Sequence, residues 1–595
     1  MDVGGRPNWL PDRPSQNWLA WKLPLLYAEE NNPQLKLGKS KEGEVKRMNK
    51  ILGGGVSYRM SLVVALLFAC IGIASATDYY VAKDGSDSNP GTEADPWLTI
   101  QKAANTMVAG DTVYIKEGTY NERVIPQNSG SPGNYITYTA YPGHTVTIDG
   151  TGISTYPRGL FLIENSKSYI KVSRLRIENH TNTGACYGIN VRYGCDHIII
   201  ENNYVNNIGG CGIHSTGNCS NLIIDNNEVC YTNLDPVWGQ EMISLILLDT
   251  FEVKNNHVHH SDNIAIDAKA GCSNGKIYKN HVHHTSSGIY TDSQNYDEHD
   301  IEIYQNIVHD ETSGCYQAAT EAGGTLENIR FFNNIGYNSV NGFSIHNYGL
   351  TNGSTHLKKN ITLINNAFYN NSVKAIQITD YGENFQNFII RNNILSGGDW
   401  HMLNFPHIVE ENVTIDHNLF DAISSIYGSD FVIGDPKFVN PAEADFHLQG
   451  DSPAIDSGSP VDAPDFDFDG NPRPQGAGYD IGAYEYMQVG SEEKPVSLPQ
   501  IYRLSQAYPN PSVQEVAIGY QLPANSQQLT AISLRIYDIG GRLVRTLVDG
   551  KKAPGYYQVK WYGRDDAGKK VASGIYFYRL EAGEFKATRK LTILR

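Results

Sequence analysis

The sequence predicts an all-β protein in which a right-handed parallel β-helix is followed by a small antiparallel β-sandwich. Asparagines recur through the body of the chain at spacings of 24 to 32 residues, and short runs of β-branched residues precede them. Residues 505–595 instead alternate apolar and polar positions between glycine-bearing turns. A long internal period without a helical pattern is typical of a solenoid, and alternation with turns is typical of antiparallel strands.

The asparagine repeat gives the coils of the β-helix. Runs such as "HIIIENN", "NLIIDNN" and "DIEIYQN" end in it, and an apolar residue usually follows two positions later. One coil cannot bury its own inner face, so coils should stack about 4.8 Å apart. An amide can donate and accept, so inward asparagines of neighbouring coils can hydrogen-bond. A leucine-rich repeat would require a leucine spacing that is absent. The repeat consists of Asn203, Asn227, Asn256, Asn280, Asn306, Asn334, Asn366, Asn393 and Asn418.

The cysteines follow the same period. Cys195, Cys219 and Cys272 each precede a repeat asparagine by eight residues, and they therefore occupy equivalent positions in their coils. Seven cysteines lie between residues 186 and 315, an odd number that favours buried thiols over a disulfide framework. A bridge between Cys195 and Cys219 on adjacent coils is the alternative.

The segment "MSLVVALLFACIGIASA", residues 60–76, reads as a secretory signal peptide with cleavage before Thr77. It is too short for a comfortable membrane span. Residues 1–59 would then be a non-native extension from a start codon assigned too far upstream.

Charge is distributed unevenly along the chain. Of the net −17, residues 1–59 contribute +4 and residues 505–595 contribute +7, so residues 60–504 carry −28. Such an acidic body is a poor nucleic-acid binder, because phosphate neutralisation requires a basic face. It would also repel an acidic polysaccharide unless cations intervene.

The β-helix is predicted over residues 77–487. Its opening, "DYYVAKDGSDSNPGTEADPWLTIQKAANTM", predicts a strand, a turn-rich loop and a helix over residues 98–107 that covers the open end of the stack. This opening resembles that of secreted pectate-lyase-like β-helix proteins. The segments "FHLQGDSPAIDSGSP" and "DFDGNPRPQGAGYDIGAYEY" resemble the end of extracellular bacterial β-helix proteins. The resemblance implies a secreted protein, which we expect to be a monomer, with a polysaccharide as partner.

Residues 488–504 form a polar, proline-bearing linker to the C-terminal sandwich, residues 505–595. The motifs "YPNP" and "IYDIGGRLV" and the basic last strand of this sandwich resemble the sorting domain of type IX secretion cargo. That domain is similar to the Ig-like domain of flagellar hook-capping proteins. The resemblance implies type IX secretion machinery as a partner and a location outside a bacterium or on its outer membrane. A carbohydrate-binding or adhesive sandwich is the alternative.

Charged residues collect on one outer face of the β-helix. Alternation places Asp267 and Asp292 outward, in "NIAIDAK" and "GIYTDS", and predicts that they are equivalent. Arg192, Thr216 and His346 are likewise expected to share a level, and Glu321 to lie near the level of Lys269. A solvated charged surface is the structural alternative to a functional cleft. The predicted face consists of Arg192, Asp267, Lys269, Asp292, Glu321, His346 and Asp380. Glu241 lies near the same strand, but an insertion in its 29-residue coil leaves its register open.

Two chemistries fit this face. In a lyase, Lys269 would be the base of a β-elimination, while Asp267 and Asp292 would hold a Ca²⁺ that neutralises a uronate. The stretch "AIDAKAGCSNGKIYKN" is similar to the lysine coil of chondroitinase-B-like and alginate lyases, and the resemblance implies the same role for Lys269. It is incomplete, because those lyases carry an arginine one coil later, where this chain has Asp292, and their calcium-binding glutamates are not matched.

In a retaining glycoside hydrolase, Asp292 and Glu321 would together form the pair of nucleophile and acid/base, in an order that the sequence leaves open, with carboxyl groups about 5–5.5 Å apart. Lys269 would then bind substrate or tune Glu321. In both cases Arg192, Glu241, His346 and Asp380 would bind substrate. A non-catalytic glycan-binding or structural surface protein is the third interpretation.

Two further motifs attract metal hypotheses. "DFDFDG" places Asp465, Asp467 and Asp469 as in the start of a calcium loop, but position twelve is Gly476, which excludes an EF-hand. A looser Ca²⁺ loop and a simple turn remain open. "NHVHH" occurs at residues 256–260 and 280–284, so its histidines should stack on successive coils. Such a column is either a surface ladder or a transition-metal site.

Overall fold

A computed structural model gives the structure of the chain over most of residues 76–594. The predicted upstream extension, the signal peptide up to residue 75 and most of the linker lie outside the described residues. The chain separates into two compact units, residues 1–487 and 488–595, and each is described by itself. No helix within the described ranges has the length and apolar character that a membrane crossing needs. The described range omits residues 157, 182–185, 235–240, 322, 349–356, 380–383, 398–411, 422–427, 488–502, 505–506, 508–509, 511, 513–515, 523–529, 553–554 and 584.

The first unit is a parallel β-helix with three sheets, as the sequence predicts. Sheet 1 contains Asp78–Val81, Thr112–Ile115, Ile136–Ala140, Ser168–Ser173, Asp196–Glu201, Cys219–Asp225, Leu248–Lys254, Ser273–Tyr278, Glu298–Tyr304, Leu326–Phe332, Lys358–Ile364, Phe385–Arg391 and Val413–Asp416. Sheet 2 contains Gly118–Tyr120, Val146–Asp149, Arg176–His180, Tyr204–Ile208, Glu228–Thr232, His257–His259, His281–His283, Ile307–His309, Ile335–Tyr337, Ala367–Tyr369, Ile394–Ser396, Leu419–Phe420 and Val432–Ile433. Sheet 3 contains Phe161–Glu164, Ile189–Arg192, Ile213–Thr216, Ile243–Ile246, Ile264–Lys269, Ser287–Asp292, Gly314–Glu321, Asn341–Tyr348 and Lys374–Ile378.

The predicted asparagine ladder is confirmed at the corner between sheets 1 and 2. All nine asparagines are buried, and the side-chain amide of each of the first eight donates to the Oδ1 of the next at 2.9–3.0 Å. The residue before each ladder asparagine has a left-handed φ between 51° and 57°. This conformation turns the chain sharply, and asparagine itself fills it in several coils because it tolerates that region better than most residues.

Side chains of all three sheets fill the interior of the β-helix as one apolar cluster rich in Ile, Val and Leu. All seven cysteines of the described residues are buried. Cys195 and Cys219 lie side by side on adjacent strands, as predicted, but they are free thiols, so the alternative of a disulfide between them is not realised. They act as small apolar side chains in the core.

The N-terminal helix forms over Ile100–Thr106, inside the predicted residues 98–107. Thr99 is the N-cap of the helix, because its Oγ1 accepts from the Lys102 N–H at 3.1 Å. Ile100 and Ala103 are buried against the core of the β-helix, so the helix covers apolar residues at the start of the stack.

The far end of the first unit is a layer packed beside sheet 2. It contains an antiparallel pair, Phe438–Asn440 with Asp445–Leu448, and the 3-10 helix Pro441–Glu443. Apolar residues of this layer share a second core cluster with the last strands of sheet 2. A fully buried ion pair of Arg473 Nη1 and Glu485 Oε1, 2.6 Å apart, lies in the same segment.

The second unit is an antiparallel β-sandwich, as predicted. One sheet contains Arg503–Leu504, Val516–Leu522 and Gly555–Trp561, and the other contains Leu543–Lys552, Thr530–Asp538, Gly574–Ala582 and Phe585–Ile593. Their facing side chains, including Trp561 and Tyr578, form one buried cluster.

Candidate active site

The outer face of sheet 3 carries the predicted charged residues, in a register that differs from the sequence prediction. Lys269 pairs with Asp292, and Asp292 with Ala319 on the next strand. Asp267 pairs with Tyr290. The predicted equivalence of Asp267 and Asp292 is therefore wrong by two residues, a slip that keeps both side chains on the same face.

Glu321 also differs from its predicted level. It lies two residues beyond Ala319, which shares the row of Lys269 and Asp292, so it is diagonal to that row. Its carboxylate nevertheless reaches the cluster, because the Tyr290 hydroxyl donates to Glu321 Oε1 at 2.7 Å. The same hydroxyl is 3.2 Å from His346 Nε2, and His346 pairs with Ala319 in the row of Asp292.

Lys269 lies between two acids. Its ammonium donates to Glu241 Oε1 and is 3.4 Å from Asp267 Oδ2. The side chains of Lys269 and Asp267 are only 16% and 1% exposed. Burial lowers the pKa of Lys269, but the charges of Glu241 and Asp267 outweigh burial and hold it well above the usual value. Lys269 is therefore a cation in this state of the site.

Glu241, the second acid beside Lys269, lies two residues before the neighbouring strand Ile243–Ile246. Ser244 Oγ donates to Glu241 Oε2 at 2.7 Å, which leaves Oε1 for the lysine. Burial raises the pKa of Glu241, and the attraction of Lys269 reverses the shift, so the pKa is lowered overall. The sequence left the register of Glu241 open because its 29-residue coil contains an insertion; residues 235–240 of this coil lie outside the described residues.

Two carboxyl oxygens of the site have no hydrogen-bond donor among the residues that the structure describes. Asp267 Oδ1 and Asp292 Oδ1 are buried and have no partner within the described part of the chain. Burial raises the pKa of both aspartates well above the usual range; the charges of Glu321 and Asp267 add to the effect at Asp292. A buried carboxyl without a donor either keeps its proton or takes a cation.

The donor set fits the calcium ion that the sequence hypothesis requires. Ca²⁺ takes carboxylate, carbonyl and water oxygens, six to eight in all, and accepts irregular geometry. The unsatisfied Oδ1 atoms of Asp267 and Asp292 are such ligands, and the four acids of the cluster face a single ammonium group. A divalent cation would balance this excess of negative charge.

Of the remaining predicted residues, Arg192 lies outside this cluster. Arg192 pairs with Thr216 as predicted, but three strands before Lys269, and its guanidinium binds Glu164 Oε2 through Nε at 2.8 Å and Nη2 at 2.6 Å. It is thus engaged in a structural ion pair. Asp380 falls outside the described residues.

The aspartates of "DFDFDG" serve a turn. Asp467 Oδ1 accepts from the Asn471 N–H at 2.8 Å, and Asp467 Oδ2 accepts from the Glu485 N–H at 3.1 Å. Asp469 Oδ2 is 2.9 Å from His447 Nε2. Among the residues placed by the structure, Asp465, Asp467 and Asp469 do not form a group of three metal ligands.

Sequence reasoning missed two contributors, Tyr290 and Ser244. The sequence could have indicated Tyr290, because it lies two residues before Asp292 and alternation places both on the same outward face. Its hydroxyl joins Glu321 to His346, a contact that depends on side-chain length and not on register. Ser244 pairs directly with Asp267 but reveals its role only through the bond to Glu241.

Comparisons with known proteins agree with this architecture. Residues 79–243 match the family model of the Pel9A-like, right handed beta helix region, and residues 507–584 match the FlgD Ig-like domain. The chain therefore contains a Pel9A-like right-handed β-helix domain and a FlgD Ig-like domain. It is 29% identical over 442 residues to YwoF, an uncharacterized protein of Bacillus subtilis, across 63% of this chain and 92% of YwoF.

A shorter match links the chain to pectate lyase PEL9 of Emericella nidulans, with 36% identity over 100 residues, 16% of this chain and 24% of that enzyme. Among solved structures, pectate lyase Pel9A is 15% identical, with a TM-score of 0.43, over 69% of this chain and 97% of that one. The complex of XylC with xylose is 14% identical, with a TM-score of 0.45, over 86% of this chain and 100% of that one.

Proposed function

We propose that the chain is a secreted enzyme that degrades an acidic polysaccharide by β-elimination, with Lys269 as the base. The observation that carries the proposal is the placement of Lys269 on the outer face of sheet 3. There it lies between Glu241 and Asp267 and beside Asp292, and two carboxyl oxygens stay unsatisfied. The Pel9A-like match and the stretch shared with a pectate lyase support a uronate-containing substrate.

The base must first lose its proton. In the resting site the ion pairs with Glu241 and Asp267 keep Lys269 charged. Burial alone lowers the pKa of a lysine, so loosening these two pairs on substrate binding would make Lys269 an acceptor for the proton next to the sugar carboxylate. The electron pair of that C–H bond forms the new double bond, and the glycosidic oxygen leaves with the electron pair of its C–O bond and takes a proton from water.

The acidic surroundings set a second requirement. A uronate brings another negative charge to Glu241, Asp267, Asp292 and Glu321. Asp267 and Asp292 would hold Ca²⁺ through their free Oδ1 atoms, and the ion, when bound, supplies the charge that neutralises the substrate carboxylate. We therefore expect activity on acidic glycans to depend on calcium.

The test is ultraviolet absorbance of unsaturated uronates, measured with the full chain on a panel of acidic and neutral glycans. Lys269→Arg keeps the positive charge but cannot act as a base, because arginine stays protonated in proteins. We expect this variant to lose a factor of about 10²–10⁴ in rate. Lys276→Arg, at an exposed lysine of sheet 1, is the matched control and should stay at the wild-type rate. Wild-type activity in Lys269→Arg would refute the base assignment.

A retaining glycoside hydrolase is the second candidate. The raised pKa of Asp292, caused by burial and by Glu321, suits a proton donor. The Tyr290 hydroxyl holds the Glu321 carboxylate, which suits a nucleophile. This enzyme would release reducing ends without unsaturated product, would lose activity in Asp292→Asn and Glu321→Gln, and would keep substantial activity in Lys269→Arg. Glycan binding without either product would indicate a non-catalytic protein.

We propose further that the second unit directs export through type IX secretion machinery and that the mature chain is monomeric. The FlgD Ig-like match over residues 507–584 and the basic last strand, Phe585–Ile593, support the export role. Deletion of residues 505–595 should retain the protein inside a type IX-competent host. Equal secretion with and without these residues would contradict the export role, and a dimer mass in light scattering would contradict the monomer.

A further inference from the structure

The outer face of sheet 2 and the turns that follow it carry seven histidines on three successive coils. His257 pairs with His281, and His259 pairs with His283, which pairs with His309. This confirms the predicted column of imidazoles. We name as the histidine ladder the set His257, His259, His281, His283 and His309, which lie on strands of sheet 2, together with His260 and His284, which directly follow two of these strands.

The rings of the ladder meet through their nitrogens. His257 Nε2 lies 2.8 Å from His283 Nε2, and His281 Nε2 lies 2.9 Å from His309 Nε2. One nitrogen from each of His257, His281 and His283 falls within 4.8 Å of the others. Three imidazole nitrogens from two adjacent coils therefore converge on one small volume.

A second group shares His257. Its other members are His259 and Glu228, whose ligand atoms also lie within 4.8 Å of one another. His259 Nε2 is buried and has no hydrogen-bond partner among the described residues, and Glu228 Oε1 is 3.6 Å away. That separation is too long for a hydrogen bond. It fits two ligands of one metal ion, which lie up to about 4 Å apart when the bonds are about 2.0 Å long.

A contact at His309 shows which nitrogen of one ladder ring carries the proton. A neutral imidazole keeps the lone pair that binds a metal. Asp310 Oδ2, 2.7 Å from His309 Nδ1, fixes the proton of that ring on Nδ1 and leaves Nε2 facing His281.

We propose that the histidine ladder binds a divalent transition-metal ion, with His257, His281 and His283 as ligands of one ion and Glu228 and His259 extending the site. Imidazole ligands suit Cu²⁺, Ni²⁺ and Zn²⁺, whereas Ca²⁺ and Mg²⁺ prefer oxygen. Two nitrogens 2.8 Å apart subtend about 90° at an ion with bonds of about 2.0 Å, the angle of a square-planar site. Cu²⁺ and Ni²⁺ should therefore bind more tightly than Zn²⁺.

This site is separate from the candidate active site, since it lies on sheet 2 and the acids around Lys269 lie on sheet 3. Loss of metal binding in a ladder variant therefore leaves the proposed lyase chemistry untouched, and the two proposals fail independently. The experiment uses the full chain without a histidine tag, stripped of metal with a chelator.

The chain is titrated with CuCl₂, NiCl₂ and ZnCl₂ by calorimetry, and the Cu²⁺ form is examined by electron paramagnetic resonance. We expect micromolar or tighter Cu²⁺ binding with nitrogen hyperfine splitting from at least two imidazoles. His257→Ala should weaken binding at least tenfold. His283→Asn, which keeps a polar side chain, provides a second test if the first variant folds poorly.

The matched control is His299→Ala, because His299 is an exposed histidine of sheet 1 that contacts Asp300 at 2.8 Å. It should bind Cu²⁺ like the wild type. Wild-type affinity in both ladder variants, or the same loss in the control, would overturn the proposal, as would a spectrum with a single nitrogen ligand.

Discussion

Asn280 stands in the middle of the asparagine ladder, and its replacement by alanine measures what the ladder contributes to stability. The side chain donates to Val253 O at 2.9 Å and to Asn306 Oδ1 at 3.0 Å. Its Oδ1 accepts from the backbone N–H and the side-chain amide of Asn256, both at 3.0 Å. Asn280 itself has no left-handed φ, so alanine adds no backbone strain.

The magnitude follows from these four bonds. Each contributes about 0.5–1.5 kcal/mol, or roughly 2–6 kcal/mol together. The loss is partly offset because the Asn256 amide keeps its bond to Ile224 O. It is increased because the buried Asn256 N–H loses this acceptor. We expect Asn280→Ala to lower the free energy of unfolding by about 4 kcal/mol.

The assay is equilibrium unfolding in urea, followed by circular dichroism and by intrinsic fluorescence, because coincident transitions are required before a free energy is assigned. Hydrogen exchange at residues 253–258 should increase in the same variant. The control, Ser273→Ala, removes one exposed inter-coil bond, from Ser273 Oγ to Asp249 Oδ1 at 2.9 Å, and should change stability by less than about 0.5 kcal/mol. A loss in Asn280→Ala no larger than in this control would refute the assigned role of the ladder.

Three further changes test other parts of the first unit. Glu485→Gln removes the counter-charge that the buried guanidinium of Arg473 contacts and leaves only the weaker attraction of Asp467 and Asp480, so it should cost up to about 3–5 kcal/mol in urea unfolding; an unchanged midpoint would contradict this. Burial raises the pKa of Glu311 from 4.5 to about 8, so its contribution to stability is full below pH 4.5 and is lost as the pH rises to about 8. Between these pH values the melting temperature of Glu311→Gln should therefore fall less than that of the wild type. Parallel curves of melting temperature against pH would contradict this prediction. Gly275→Ala places a Cβ 2.1 Å from the Phe251 ring and should lower the free energy of unfolding by about 1–3 kcal/mol. Adding Phe251→Leu to the same chain should reduce this loss. A double variant no more stable than Gly275→Ala would show that the clash with Phe251 is not its cause.

The ladder was predictable from sequence, whereas the register of the site was not. Buried amides must recur once per coil to satisfy one another, so their spacing in the sequence reveals the corners. Alternation fixes only which face a residue occupies. "NIAIDAK" and "GIYTDS" align naturally through Ile264 and Ile289, yet Ile264 pairs with Ser287. A slip of two residues preserves every inward and outward assignment, so no pattern of polarity could have exposed it.

Side-chain reach was equally hidden from the sequence. Glu321 joins the cluster through the Tyr290 hydroxyl although its backbone lies beyond the row of Asp292. In contrast, the histidine column was predicted in full, because "NHVHH" occurs twice at the same distance from a ladder asparagine. Two identical motifs fix both the face of the sheet and the register between the two coils, because a shift by two residues would misalign the motifs.

The ladder asparagines occupy equivalent positions in successive coils, so one coil can be removed without changing the corner between sheets 1 and 2. Asn203 Oδ1 accepts from the Leu175 N–H at 3.0 Å. The Oδ1 of Asn227 could accept the same hydrogen bond if Asn227 took the place of Asn203. Deletion of one whole period, residues 203–226, would bring Asn227 to that position and leave the acids around Lys269 and the histidine ladder on their own coils. Duplication or deletion of the sequence of one coil can therefore change the number of coils, while the side chains of the remaining coils keep their positions and their chemistry.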